Sequence, residues 1–578
     1  MCKKMFLMVV VAIVGWQLPL WSANEGARVA NYEVVPLPQS IQQGKGKAFV
    51  LDASVLIVAP ESLQREAAFL AAYLNETTGL QLTVIAKKPK QARCIVLNTD
   101  SRTVKAPEGY QLTVDERTVR LTGGSAAGLF HGLQTLRKAI PLPEIFGKAD
   151  ETHQILSTDF TRCRVPATNV NHPAANTQQI LFPPVSIADA PRFGWRGMHL
   201  DCSRHFFPIS FVKKYIDMLA LHNMNIFHWH LTDDQGWRIE IKKWPRLTEV
   251  GSQRSGTVIG CNSDLDDQQP HGGFYTQAEA REIVEYARQR HITVVPEIDM
   301  PGHMVAALAS YPELGCTGGP YEVGHFWGVY KDVLCVSNER VYQFVEDVLS
   351  EIMDIFPSDV IHIGGDETPT DRWKACPRCS QLKTTLGAKQ TLQGHFTERV
   401  FNFLTAHHRR ALGWDELLDN NAPQNSMIMS WRGTQPGSKA AAIGHDVVMA
   451  PTSHCYFDYQ QNEHTAHEPS RCSGYIPVEK VYSLEPVPDS LTAEARSHIL
   501  GVQANLWAEY LTTPGLVEYQ SLPRAAALAE VQWTQPERKN YEAFVGRLTR
   551  LTRLYDWLGY QYAKILWPQR QLPSRWQF

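Results

Sequence analysis

The sequence predicts an α/β protein: a (β/α)8 TIM barrel preceded by a small α+β domain. From Trp195 onward, short apolar runs alternate with longer amphipathic segments. Repeated strand-then-helix order means parallel strands joined by right-handed crossovers. Polar and aromatic residues gather just after these runs, which is where a barrel builds its site. No glycine-rich phosphate loop follows the first run, which argues against an open doubly wound sheet. At 578 residues the chain is also too long for one ordinary core.

The chain opens with Lys3 and Lys4, an apolar run from Met5 to Trp16, then Trp21-Ser22-Ala23. A charged start, an apolar run too short to span a bilayer comfortably and small residues at its end read as a signal peptide over residues 1–23. An uncleaved anchor is the alternative. No later apolar stretch is long enough to cross a membrane, so the expectation is an exported protein: periplasmic, attached to the cell surface or secreted. The single glycosylation sequon, Asn75-Glu76-Thr77, suits a bacterial exported protein better than a heavily glycosylated lumenal one.

Residues 24–185 are expected to form the α+β domain and a linker. Short β-rich runs stand at Val34–Pro36, Phe49–Leu51, Val55–Ala59, Cys94–Leu97, Tyr110–Val114 and Val119–Thr122. Ser62–Leu74 and Ala126–Ala139 carry the 3.6-residue spacing of helices. The polar, proline-rich stretch Cys163–Ala188 reads as the linker. Residues 186–578 are expected to hold the barrel and C-terminal helices. Its strands are drawn at Gly197–Asp201, Asn225–Leu231, Thr293–Asp299, Val360–Gly364, Ala411–Trp414, Met427–Trp431, Asp446–Ala450 and Leu500–Ala504. Helical patterns between them include Ser210–Leu221, Gln277–Arg290, Glu339–Phe356 and Leu392–His408.

Composition excludes some functions. A net charge of −3 without long Lys/Arg runs gives no footprint for nucleic acid. Fifteen Trp is a high count; indole faces stack on sugar rings, which fits a carbohydrate site weakly. Eleven Cys would permit disulfides in an exported protein. Cys316 and Cys335 flank a loop and could pair. Cys376-Pro377-Arg378-Cys379 could pair or bind metal, but one CxxC is at best half a zinc site.

The chemistry concentrates at Ile361-His362-Ile363-Gly364-Gly365-Asp366-Glu367. Neighbouring side chains on a regular strand point to opposite faces, so an Asp-Glu pair converges only where the backbone turns. Two glycines before the acids free that turn. Paired carboxylates in different surroundings are the usual equipment for acid/base chemistry on a sugar. Around them, the other strand ends carry Asp201, Ser203 and Arg204; His230, Asp233 and Asp234; Glu297, Asp299 and His303; Trp414, Asp415 and Glu416; Trp431 and Arg432; Tyr456 and Asp458; Trp507 and Glu509. In this fold all would face one pocket.

These residues resemble the family 20 glycoside hydrolases, the β-N-acetylhexosaminidases. The resemblance rests on Arg196 to Phe206, His228 to Arg238, Pro296 to His303, the Gly-Gly-Asp-Glu turn, Gly413 to Glu416 and Asn505 to Glu509. It extends to the first domain through Gly128 to Leu136. It implies an exo-acting, retaining enzyme that removes terminal β-linked GlcNAc or GalNAc. The substrate's own 2-acetamido oxygen would attack the anomeric carbon and form an oxazolinium ion, with no metal or organic cofactor. Asp366 would orient the acetamide N–H, and Glu367 would protonate the leaving oxygen. An ionised Asp366 beside it would help keep Glu367 protonated. Tyr456 would bind the acetamide oxygen; Trp414, Trp431 and Trp507 would wall the methyl group and ring. Arg204, Asp458 and Glu509 would hold ring hydroxyls, and Asp233 with His303 would hold the acid in place.

Two rivals come from other classes. His228 and His230 share one face of a strand, as zinc ligands do in some barrel hydrolases, although further His or Lys ligands are not evident at later strand ends. A sugar-binding protein without catalysis is the other, and it would usually lack Glu367. Oligomeric state is not legible.

Overall fold

The computed structural model describes residues 27–142, 179–463, 468 and 474–567. The expected signal peptide and most of the expected linker lie outside the described residues. Among the described residues, no helix is long and apolar enough to cross a membrane.

The first domain is built on a seven-stranded sheet. Its strands run in the order Ser40–Gln43, Val185–Asp189, Tyr110–Val114, Thr118–Gly123, Cys94–Thr99, Leu56–Val58 and Thr83–Ile85. Alternation decides what each strand buries: Tyr110, Leu112 and Val114 are buried while Thr113 between them is exposed. Helices Gln64–Thr78 and Ala126–Ala139 pack on this domain's core, the second capped by Ser125 Oγ accepting from the Ala127 N–H. A smaller sheet places Ile180–Phe182 between Arg28–Val29 and Phe49–Leu51.

The linker reading is corrected here. Val185–Asp189 is an internal strand, paired with Ser40–Gln43 on one side and Tyr110–Val114 on the other. Val185 and Ile187 point into the core and Ser186 outward, a period-2 signal hidden by the prolines before it. A boundary after 185 therefore cuts a strand; the first domain's sheet ends at Asp189. Val34–Pro36 is not a strand either. Val34 and Val35 are buried there, and the Leu37 N–H donates to Glu530 Oε1 at 2.9 Å.

Eight parallel strands close into a barrel: β1 (Trp195–Asp201), β2 (Ile226–His230), β3 (Thr293–Glu297), β4 (Val360–His362), β5 (Arg410–Trp414), β6 (Met427–Ser430), β7 (Asp446–Met449) and β8 (Ile499–Ala504). Closure comes from β1 against β8, Trp195 opposite Gly501 through Met198 opposite Ala504. Helices cover the outside, so every residue of β1 is buried. Capping starts these helices where expected: Thr276 and Glu279 form a capping box at Gln277–Arg288, and Asn338 caps Glu339–Ile355. Inside, Trp195, Val295, Leu412, Met427, Met429 and Val448 form an apolar plug. Above it the interior turns polar.

The first domain grips the barrel from below. Glu108 accepts from Arg196 Nη1 at 2.9 Å and Nη2 at 2.7 Å, and from Asn225 Nδ2 at 3.2 Å. Arg196 lies near the start of β1 and Asn225 just before β2, the face opposite the strand ends that carry the site. Against the desolvation of burial, His131 and Arg196 hold the Glu108 carboxyl well below its usual range.

Candidate active site

The site begins where β4 stops. Past His362 the backbone turns through Gly364 (φ 66°) and Gly365 (φ 96°). A Cβ on Gly364 would lie 1.7 Å from Asp299 Oδ1, so the room that glycine leaves is filled by a third carboxyl group. Asp299 Oδ1 accepts the Gly365 N–H at 3.1 Å. Gln393 and Trp414 hold the two glycine carbonyls, at 2.6 and 3.0 Å. The turn delivers Asp366 and Glu367 to the mouth with side chains 13% and 40% exposed. Glu367 (φ 42°) and His303 (φ 53°) both adopt left-handed backbone without being glycine. Such conformations persist only where the surroundings enforce them, and they gather at functional sites.

A chain of alternating acids and imidazoles supports the pair. Glu297, at the end of β3, is fully buried. Its Oε2 is 2.6 Å from His230 Nδ1 and 3.0 Å from His228 Nε2; its Oε1 is 2.9 Å from His362 Nδ1 and accepts from Trp414 Nε1 at 3.0 Å. His230 Nε2 reaches Asp233 Oδ2 at 3.0 Å. His303 Nδ1 then donates to Asp233 Oδ1 and Asp234 Oδ2, both at 3.1 Å. Its other nitrogen faces Asp366 Oδ2 at 3.8 Å and Glu367 Oε2 at 3.7 Å, ion-pair distances rather than hydrogen bonds.

The charges along this chain follow from what each group touches. Burial alone would discharge His230 and His303, but Glu297 and Asp233 respectively overcome it and push both imidazoles well above their usual range. His228, buried among other imidazoles, falls to about 4. Glu297 stays ionised despite burial because His362, His230 and His228 surround it. Burial and neighbouring Asp366 push the Asp299 carboxyl well above its usual range.

One electrostatic expectation is overturned. Asp366 does not hold Glu367 protonated in the free site. The His303 cation facing Glu367 pulls its carboxyl below the usual range, while burial raises Asp366. Glu367 is the more exposed of the two and stands closer to the cation, so it ionises first.

The opposite wall holds the hydroxyl-binding candidates. Arg204 Nη2 pairs with Asp233 Oδ2 at 2.8 Å, Nε donates to Gln235 Oε1 at 3.0 Å, and Nη1 lies 3.9 Å from Glu509 Oε1. Its guanidinium sits 5.0 Å from the Trp507 ring. Burial and Glu509 push the Asp458 carboxyl well up. Asp458 Oδ1 and Asp366 Oδ1 are buried and accept from no N–H or hydroxyl among the described residues, Asp366 having only the Asp299 carboxyl beside it. Buried acceptors left unpaired are costly, so both oxygens are placed to receive donors from a ligand. Tyr456 stacks on Trp431 at 6.1 Å, and both are core-facing on one side. Trp414 departs from its expected place in the wall. It is 1% exposed, beneath Trp507 at 5.8 Å, with its N–H committed to Glu297. It is the floor, whereas Trp431 and Trp507 stay half-buried at the side.

The structure thus brings together the eleven residues to which the resemblance gave a role: Asp366, Glu367, Tyr456, Asp233, His303, Arg204, Trp414, Trp431, Asp458, Trp507 and Glu509. It also supplies groups to which no role had been given. Glu297 and Asp299, named among the strand ends without a role, stand two residues apart, Glu297 closing β3 and Asp299 just beyond it. His199 and His362 join His228 and His230 around Glu297, so later strand ends do carry an additional histidine. The sets His199/His230/Glu297 and His228/Glu297/His362 are each compact enough to hold a metal ion. Glu416, whose Oε2 accepts from Trp431 Nε1 at 2.9 Å, is driven up to about 8 by burial and by Asp366.

Comparison with known proteins agrees with this geometry. Residues 193–536 match the model of the glycosyl hydrolase family 20 catalytic domain, and residues 31–155 match family 20 domain 2. A beta-hexosaminidase of Porphyromonas gingivalis is 39% identical over 92% of this chain, which spans only 64% of that relative's length. A beta-hexosaminidase of Vibrio furnissii is 33% identical over 86% of this chain and 76% of its own. Among solved structures, the GH20 beta-N-acetylhexosaminidase of Streptomyces coelicolor superposes with a TM-score of 0.75 at 29% identity, covering 94% of this chain and 99% of its own. The GH20 exo beta-N-acetylglucosaminidase of Vibrio harveyi in complex with N-acetylglucosamine gives 0.76 at 31% identity, covering 93% and 79%.

Proposed function

The chain belongs to glycosyl hydrolase family 20, and from that premise we propose that it is an exo-acting, retaining β-N-acetylhexosaminidase working by substrate-assisted catalysis. The relatives named above are beta-hexosaminidases, and one structural neighbour was solved with N-acetylglucosamine. The observation that carries the mechanism is Asp366 Oδ1, a buried acceptor that no N–H or hydroxyl of the described residues satisfies, beside a second carboxylate on a cationic histidine.

In this reading the acetamide N–H donates to Asp366 Oδ1, which orients the group and stabilises the positive charge it gains. The acetamide oxygen attacks the anomeric carbon from within the same molecule, so no translational entropy is lost in the step. Glu367 gives its proton to the departing glycosidic oxygen, then takes one from the incoming water. Because the free site favours the Glu367 carboxylate, the acid must gain its proton as the substrate binds. A sugar seated in the mouth removes water from a side chain that is 40% exposed, and desolvation raises a carboxyl pKa. His303, held by Asp233 and Asp234, fixes the acid's position. Tyr456 donates to the acetamide oxygen, while Trp431 and Trp507 enclose ring and methyl above Trp414. Arg204, Asp458 and Glu509 take the ring hydroxyls at the closed end, which admits only a terminal residue. The apolar N-terminal run supports export of the protein.

The test uses two substrates. A disaccharide needs its leaving oxygen protonated, whereas an aryl glycoside with an acidic phenol does not. Glu367→Gln should therefore lose far more activity on the disaccharide than on the aryl glycoside, and Asp366→Asn should lose both. Equal losses on the two substrates for Glu367→Gln would remove the acid from its role. A second reading, a metal-dependent hydrolase, draws on the His199, His230 and Glu297 set. Loss of activity within minutes of adding EDTA would favour it.

A further inference from the structure

Outside the site, four cysteines far apart in sequence converge on one point. Cys316 follows the short helix Pro312–Leu314, and Cys335 lies across from it, next to the antiparallel bridge between Gly315 and Leu334. Cys376 precedes helix Pro377–Leu386 and Cys379 sits in its first turn. No disulfide joins them. Cys316 Sγ is 3.8 Å from Cys379 Sγ, Cys335 Sγ is 3.6 Å from it, and all four sulfurs lie within 4.8 Å of one another.

We propose that these four thiolates bind a structural zinc ion. Four sulfurs at a Zn–S distance of about 2.3 Å form a tetrahedron with edges of about 3.8 Å, the spacing found between Cys379 and its two neighbours. A disulfide would need sulfurs about 2.05 Å apart. Cys335, Cys376 and Cys379 are buried and Cys316 is partly buried, as suits a closed site with no open position. Donors for the sulfurs are in place. Ser337 Oγ lies 3.2 Å from Cys379 Sγ and 3.4 Å from Cys335 Sγ, and Arg378 Nη2 reaches Cys335 Sγ at 3.8 Å. Binding four thiols to Zn2+ releases four protons and leaves a net charge of −2 on the cluster, which the Arg378 cation partly offsets.

The site has a structural consequence. It ties both ends of the 316–335 loop to the segment that follows Asp366 and Glu367. That loop reaches the mouth: the Gly324 N–H donates to the Asp234 carbonyl at 2.9 Å, and the Phe326 carbonyl accepts from Gln235 Nε2 at 2.9 Å. Gln235 in turn holds Arg204. Further ties between the two segments run from Arg372 to Asp332 and from Trp373 Nε1 to the Leu334 carbonyl.

The experiment uses the full chain, purified without chelator or metal-affinity resin. Zinc is measured by plasma mass spectrometry, and intact mass is read after alkylation in denaturant with chelator but no reductant. The expected result is one zinc per chain with Cys316, Cys335, Cys376 and Cys379 all alkylated. The Cys376→Ser/Cys379→Ser variant should lose the zinc and melt at lower temperature. Should that variant not fold, the wild-type stoichiometry and thiol state still decide. Disulfides among these four, iron in place of zinc, or free thiols that take up no zinc from micromolar excess would each overturn the proposal.

Discussion

Replacing His303 with Gln tests whether this side chain acts as a cation on the acid pair. Asp233 keeps Arg204 at 2.8 Å and His230 at 3.0 Å, and Asp234 keeps the Val305 N–H at 3.0 Å on its other oxygen, so each buried carboxylate retains a partner and the Gln amide replaces the lost donor. What is lost is a positive charge 3.7 Å from Glu367 Oε2. Glu367 is 40% exposed, so solvent screens the pair strongly, and an effective dielectric of about 40 to 80 is appropriate. At 3.7 Å that gives about 1.1 to 2.2 kcal/mol, or about 0.8 to 1.6 pH units. The sign is fixed: removing a cation disfavours the carboxylate, so the Glu367 pKa rises. Glu367 acts in its protonated form, so the alkaline limb of kcat/KM should move upward by that amount. The plateau should fall by up to about 100-fold, because the acid also loses a positioning partner. The assay is the pH profile of disaccharide hydrolysis, with folding checked by circular dichroism. A folded variant whose alkaline limb stays in place, or moves to lower pH, would refute the charge assigned to His303.

Other consequences follow from the same network. Glu297→Ala leaves His228, His230 and His362 around an uncompensated hole, and should cost about 3 to 5 kcal/mol in urea unfolding; a loss under about 1 kcal/mol would mean the hub is not held by charge. Glu416 is pushed from 4.5 to about 8 when folded, so it keeps its proton in the fold and sheds it on unfolding. Wild-type stability should therefore fall as pH rises across that window, and Glu416→Gln should melt higher than wild type at pH 9 but not at pH 4; equal differences at both would sink this account. Trp327 is 48% exposed on the loop that reaches Gln235. Trp327→Ala should raise KM for a chitin-type oligosaccharide roughly fivefold, about 1 kcal/mol of lost stacking, and leave a simple aryl glycoside unchanged; equal effects on both substrates would place the indole elsewhere.

Much of the barrel was legible because its signals are local. Strands buried on both faces read as apolar runs, and each of the eight was found to within a few residues. The strand-end residues were legible for a related reason: a barrel with parallel strands collects all its C-terminal ends at one mouth, so chain position implies location. The strand Val185–Asp189 was missed because its alternation is short and the prolines before it dominate the window. What it pairs with lies dozens of residues away.

By itself, then, the sequence determined the fold class, the family resemblance and the membership of the candidate site. Local backbone preference, hydrophobic period and order along the chain carry that information. Protonation and pairing were decided only in three dimensions. Whether Glu367 or Asp366 holds the proton depends on a histidine from the loop after β3 standing 3.7 Å away, since Coulomb energy depends on distance through space and not along the chain. Glu297 became the centre of the barrel only when β1, β2 and β4 placed their histidines around it. Cys316, Cys335, Cys376 and Cys379 read as two separate pairs until the folded loops bring their four sulfurs within 4.8 Å of one another.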